Sequence, residues 1–225
     1  MDLPLQAWAM GSARQDNMDA AFKYSIIHVP HDEAGIRKYL EDYKAVRLFS
    51  LQYAPEAFGS TYARELAFED NVWYERLRNP ISNTFMAIWG AGQIVSISTV
   101  NGPLAIGTRD MPPLGIPQTA YGDWDGASPL HFRLNAIFTM PEARRKGISK
   151  ALIETSIKYI TDEAQAKDKD TVFSIIVDTN NLPARALYES AGFVEATRLS
   201  ASENVYGLPV ILLEYRPPSA SAGVG

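Results

Sequence analysis

Residues Phe138 to Ala151, FTMPEARRKGISKA, constrain the fold more than any other stretch of this chain. They read as the end of a strand, a short turn crowded with cations, and the first turns of a helix. Arg144, Arg145 and Lys146 run into Gly147, and small Ser149 follows two residues later. A turn that opens a helix in this way leaves backbone N–H groups unpaired at the positive end of the helix dipole. Helped by the cations, those groups form a receptor for phosphate oxygens. The same pattern also suits a solvated basic turn, since charge runs are commonly just exposed. It matches neither G-x-x-x-x-G-K-[ST] nor G-x-G-x-x-G, which excludes the two familiar nucleotide loops.

A second segment changes the weighing. Val172 to Val177 is apolar and rich in β-branched residues, as a buried strand would be. Directly after it the chain reads NNLPARALYESAGF, Asn180 to Phe193. Asn180 or Asn181 suits the N-cap of a helix, Pro183 its first turn, and Gly192 its C′ position. Ala184, Leu187, Tyr188 and Ala191 share one helical face, so Tyr188 taken alone is a core tyrosine with its hydroxyl at the rim.

Together the two segments resemble the GNAT superfamily of acyl-CoA-dependent N-acetyltransferases. The family's first motif is a strand, x-P-x-x-R/Q-R-x-G-x-G/A, then a helix; here it stands as Met140 to Ser149. Its later motif, N-x-x-A-x-x-x-Y-E-x-x-G-F, stands as Asn181, Ala184, Tyr188, Glu189, Gly192 and Phe193. Both occur in the family's order, and the motif core covers roughly Arg133 to Val194. Ser149 departs from the usual Gly or Ala but is small enough for close backbone approach.

The resemblance implies transfer of an acetyl group from acetyl-CoA, as cosubstrate, to a primary amine of a small molecule by direct attack in a ternary complex. It implies that the N–H groups of Arg145, Lys146, Gly147, Ile148 and Ser149 hold the CoA pyrophosphate, within the motif that Arg144 opens. The backbone of Ile137 and Thr139 would pair with the pantetheine arm, and Asn181 would hydrogen-bond that arm or an ordered water. Tyr188 takes the family position of the general acid, since a phenol is protonated at neutral pH and can donate to a departing thiolate.

The general base is less defined. Many relatives carry a carboxylate near the start of the fourth strand, where this chain has Arg133; others have a glutamate on the next strand, where it has Ile176. Asp178, two residues on and on the same strand face, is the preferred candidate. A strand-end residue bonded to the following turn is the plainer reading of it. Glu65, Glu69, Asp70 and His131 are further options. Arg133 would favour an acceptor bearing a carboxylate, or would pair with an acid across the sheet. Tyr121 and Trp124 would shape the acceptor pocket or pack their own loop. Two other readings stay open: a peptide or protein N-acetyltransferase, and a degenerate module that binds CoA without catalysis.

Composition sets the outer bounds. The chain has 225 residues, enough for one sizeable core. Its net charge of −5 argues against nucleic acid as a partner. The absence of cysteine excludes disulfides, thiolate catalysis and zinc–sulfur sites. The three histidines form no metal-ligand spacing, so no metal is expected. No apolar run reaches about 18 residues, and the first residues do not form a secretory leader, so a cytoplasmic monomer or homodimer without membrane contact is expected.

The periodicity predicts strands near 24–29, 84–89, 94–100, 131–139, 172–178, 194–200 and 209–215. Helices are expected over 32–53, 61–77, 148–164 and 182–191. The order β-α-α-β-β-β-α-β-α-β-β gives an α+β fold, a mixed, mostly antiparallel sheet flanked by helices, in agreement with the GNAT fold. Residues 21–216 form one expected domain, with poorly ordered ends at 1–20 and 217–225. The segment 101–129, rich in Gly, Pro and Asp, is an unusually long loop.

Overall fold

The computed structural model describes residues 23–104, 129–203 and 207–217. Seven strands form one sheet: β1 (Tyr24–His28), β2 (Ser82–Trp89), β3 (Gln93–Asn101), β4 (Leu130–Thr139), β5 (Thr171–Asp178), β6 (Phe193–Leu199) and β7 (Val210–Tyr215). Their spatial order is β1-β2-β3-β4-β5-β7-β6. Every neighbouring pair is antiparallel except β4 and β5. This is the expected α+β architecture.

The helices are α1 (Glu33–Tyr53), α2 (Tyr62–Leu66), α3 (Asp70–Arg78), α4 (Ile148–Ala166) and α5 (Leu182–Ser190). Asp32 caps α1 as its sequence position requires, accepting a hydrogen bond from Gly35 N–H at 2.8 Å. Two layers follow from the pleat. Phe138 meets Phe49 of α1, whereas Phe85 meets Tyr159 of α4. Phe138 pairs with Ile97 and Phe85 with Ser98, adjacent residues of β3 whose side chains leave opposite faces. Hence α1 and α4 cover opposite faces, and the main core is continuous through the sheet.

The single helix expected over 61–77 is two, α2 and α3, broken between Leu66 and Asp70. Charge explains the break. In one straight helix Glu65 and Arg76 would stand about 16 Å apart at roughly 1.5 Å per residue. The break lets Arg76 Nη1 donate to Glu65 at 2.8 Å, while Arg47 of α1 donates twice to the same carboxylate, at 2.8 and 3.1 Å. Trp73 and Leu77, four residues apart on one face of α3, are buried. Leu66, the last residue of α2, is 48% exposed.

Two irregularities in the middle of the sheet define the space for a ligand. β4 and β5 pair only from Leu130–Thr171 to Arg133–Ser174. Beyond that point β4 stays with β3 and β5 with β7, so the strands part. β4 also carries a bulge: Ile97 pairs with Phe138 and Thr99 with Asn135, so Ser98 alone opposes Ala136 and Ile137. Ala136 takes a left-handed φ of 51°. A regular strand would put Leu134, Ala136 and Phe138 on one face, and this one does not. Leu134 and Phe138 leave opposite faces, because the bulge adds a residue between them.

Candidate active site

The cation-rich turn has the open form an anion requires. Pro141–Ala143 makes one 3-10 turn, and Arg144 N–H closes back on Pro141 O at 3.2 Å. Arg145 then takes φ 63° and Gly147 φ 78°. Gly147 is the N-cap of α4 and offers no side chain to the first helical turn. Among the described residues the N–H groups of Arg145, Gly147, Ile148 and Ser149 donate to no acceptor. Open donors at the positive end of a 19-residue helix favour an anion.

The Arg144 side chain lies under the turn. Its Nε donates to Thr139 O at 3.0 Å, and its guanidinium stacks 4.9 Å from the Tyr53 ring and 5.6 Å from Phe138. It fastens the turn to the last residue of β4 and to the end of α1. Among the described residues no strand lies beside the edge of β4 from Leu134 to Thr139 that would face β5. Ile137 and Thr139, expected to pair with an extended ligand arm, lie on this free edge.

On the far side of the split, Asn181 caps α5 by accepting from Ala184 N–H at 3.2 Å. That fixes the helix carrying Tyr188. The Tyr188 ring is buried against Phe193, 6.0 Å between centroids. Its hydroxyl has no hydrogen-bond partner among the described residues and is not one of the fully enclosed unpartnered atoms. Burial pushes the phenol well above its usual range. The hydroxyl therefore keeps its proton at every ordinary pH.

The candidate bases separate clearly. Burial alone would raise the Glu65 carboxyl, but hydrogen bonds from Arg47 and Arg76, with the Arg47 charge, hold it at about 2. It is a structural counter-ion. Burial, helped by the Arg133 charge, holds the His131 imidazole down at about 3, and its Nε2 lies 2.8 Å from Ser174 Oγ. Asp178 Oδ1 accepts from Asn180 N–H at 2.7 Å, the strand-end bond that its position suggests. It is the one acidic residue in the part of β5 that has left β4. Arg133 is buried at the vertex of the split, paired with Ser174. Tyr121 and Trp124 lie outside the described residues. No group of three or more metal-ligating side chains occurs among the described residues.

Sequence reasoning missed Ser96 of β3, which stands at the end of a hydroxyl chain, 2.7 Å from Thr139 Oγ1, which is 2.7 Å from Ser149 Oγ. The alternating serines in the run Ile94 to Val100 were its only signal. The bulge at Ala136 gave none, since no glycine marks it.

An anion receptor opening α4, beside two strands that part, is the arrangement that an extended pyrophosphate ligand would fit. The Acetyltransferase (GNAT) family model matches residues 119–193. The acetyl-CoA complex of NAA60 from Arabidopsis thaliana is similar in structure, with TM-score 0.58 and 15% identity over 86% of this chain and 98% of that one. A GNAT-family acetyltransferase from Streptococcus pneumoniae gives TM-score 0.53 and 16% identity over 85% and 98%. The ribosomal-protein-S18-alanine N-acetyltransferase of Escherichia coli gives 0.51 and 14% over 90% and 99%. At such identities these likenesses establish the fold. No curated protein matches the sequence. The family model covers a third of the chain, and the fold is the one these acetyltransferase structures share.

Proposed function

We propose that residues 21–216 form one catalytic domain, which moves the acetyl group of acetyl-CoA to a primary amine of a small molecule by direct attack in a ternary complex. The observation that carries this reading is the open turn at Arg145 to Ser149, set beside the gap between β4 and β5. In this reading the backbone N–H groups of Arg145, Lys146, Gly147, Ile148 and Ser149 bind the pyrophosphate. Ile137 and Thr139 bond the pantetheine arm along the free edge of β4, and Asn181 meets that arm from the start of α5. Bound there, acetyl-CoA supplies a thioester within reach of an amine.

Tyr188 stabilises the departing sulfur. Its raised pKa ensures that the proton is present, but full transfer to a thiolate, whose acid has a pKa near 8.5, is then uphill. The hydroxyl works chiefly as a hydrogen-bond donor to sulfur as charge develops. Asp178 takes the amine proton, directly or through water, with the carboxylate oxygen that the Asn180 turn leaves free. Arg133, at the vertex, anchors an acceptor carboxylate. Tyr121 and Trp124, outside the described residues, are assigned to acceptor binding by their place in the sequence alone. The small-molecule reading rests on the length of the 101–129 segment in the sequence, since a loop that long would narrow a peptide groove if it bordered one. A cytoplasmic location is consistent with the lack, among described residues, of any helix long and apolar enough to cross a membrane.

The deciding experiment follows thiol release from acetyl-CoA over a panel of small amines and N-terminal peptides. Turnover with small amines alone is expected. Exclusive turnover of peptides would transfer the site to the peptide class, and acetyl-CoA binding without turnover would make it a degenerate module. Asp178→Asn keeps the turn bond, because an amide oxygen accepts from Asn180 as well, and removes only the basicity. It is expected to lower kcat/KM about a hundredfold at neutral pH with unchanged thermal stability. Full activity in that variant would leave Asp178 with its turn role alone.

A further inference from the structure

The hydroxyl chain Ser96–Thr139–Ser149 has a direction fixed by its far end. Ser96 Oγ lies 2.8 Å from Phe138 O, and a carbonyl only accepts, so the one Ser96 proton goes there. Ser96 Oγ, 2.7 Å from Thr139 Oγ1, must then accept the Thr139 proton. Thr139 Oγ1, 2.7 Å from Ser149 Oγ, must in turn accept the Ser149 proton. Each hydroxyl has one proton, and the chain uses all three inward.

The consequence falls on the anion turn. Ser149 is the second residue of α4, where a free hydroxyl would compete for nearby backbone groups or donate to a bound phosphate. Here its proton is drawn back into the sheet, and only lone pairs remain to face outward. Gly147 supplies no cap. The first turn of α4 is thus tied to β4 and β3 through side-chain oxygens, while its N–H groups stay open.

We infer that Ser96, together with the Thr139 side chain, is a positioning residue for the pyrophosphate cradle, and that Ser149 binds the anion by its backbone N–H and not by its hydroxyl. The inference rests on the proposed binding of CoA at this turn. Ser96 is fully buried and would touch no ligand. It acts through Thr139 and Ser149 by holding the tilt of the helix start.

The test measures binding of CoA and of acetyl-pantetheine, which lacks the pyrophosphate, by calorimetry, together with steady-state kinetics. Ser96→Ala and Thr139→Val are expected to weaken CoA binding about three- to tenfold, the worth of a hydrogen bond or two. In Ser96→Ala the KM for acetyl-CoA rises with the loss, while turnover at saturation, the acceptor KM and binding of acetyl-pantetheine hold. Thr139→Ser restores the parent affinity. Because the three hydroxyls act as one chain, Ser96→Ala with Ser149→Ala is no worse than Ser96→Ala alone. Loss of affinity in Ser149→Ala with none in Ser96→Ala or Thr139→Val would overturn the inference and make the serine hydroxyl a direct phosphate donor. Equal losses for both ligands would also overturn it, reducing Ser96 to general packing. If the parent protein binds no CoA, the functional reading fails instead, a result distinct from either.

Discussion

Two regions of this molecule concentrate arginine beside aromatic rings, and they differ in what is left over. Around Glu65, the guanidinium groups of Arg47 and Arg76 share one buried carboxylate and lie over Phe58, Phe68 and Trp73. The carboxylate there accepts three hydrogen bonds, and among the described residues Arg47 Nη1 and Trp73 Nε1 are enclosed donors left without a partner. At the start of α4, Arg144 is likewise spent on Thr139 O and two rings, but the backbone beyond it is not. Four N–H groups have no acceptor among the described residues. The closed cluster serves stability, and the open turn is built to bind. Charge alone does not distinguish the two; the accounting of donors does.

The largest effect should come from opening the closed region. Glu65→Gln leaves Arg47 buried without its counter-charge and is expected to cost about 3–5 kcal/mol, the usual consequence of breaking a buried ion pair from one side. Chemical denaturation would measure it, and calorimetry on the remaining folded protein should give unchanged CoA affinity. A stability near the parent value would mean that the cluster is as dispensable as a surface pair. Acid acts on the same group. The folded Glu65 carboxyl sits at about 2, below its ordinary 4.5, so its contribution is complete above about pH 4.5 and is lost as pH falls toward 2. In the Gln variant that part of the acid transition should be missing.

Next in size is Tyr188, a buried ring whose hydroxyl has no described partner. Tyr188→Phe removes one oxygen and no folding interaction described here. Its melting temperature should match the parent within a degree or two, while kcat falls about a hundredfold if the hydroxyl donates to sulfur. Because burial raises this phenol, the parent pH–rate profile should show no loss from tyrosine ionisation below about pH 10. Undiminished turnover would return Tyr188 to the core, as its helical face alone suggests.

The sequence spoke unevenly about these regions. The strand–turn–helix at Phe138 to Ala151 was legible because the glycine, the proline and the cations each have a local reason to be there. The N-cap at Asn181 was legible on the same grounds. The break between α2 and α3 was not. Glu65, Arg47 and Arg76 meet only through tertiary folding, and the helical periodicity of 61–77 ran unbroken through the position where the chain turns. The bulge at Ala136 escaped for a related reason, since alanine rarely takes a left-handed φ and nothing local demands it. Local chemistry announced the open turn, whereas long-range pairing produced the closed cluster, the bulge and the hydroxyl chain from Ser96.

The smallest effect in this series tests whether the open turn is truly dispensable for folding. Gly147 has φ 78°, and a Cβ built there would meet nothing within 4 Å. Substitution therefore brings no clash within the protein, only backbone strain of about 1–2 kcal/mol for a side chain in the left-handed region. Gly147→Val should lower stability by no more than that. Its branched side chain, however, would project into the space beside the N–H groups of Arg145, Ile148 and Ser149, where an anion must come close. Affinity for CoA should fall about tenfold, equivalent to roughly 1.4 kcal/mol, with acetyl-pantetheine little affected. The Glu65→Gln variant should do the reverse, losing stability and keeping affinity. If Gly147→Val lost only stability, the turn would be a solvated cap after all and the contrast between open and closed regions would fail.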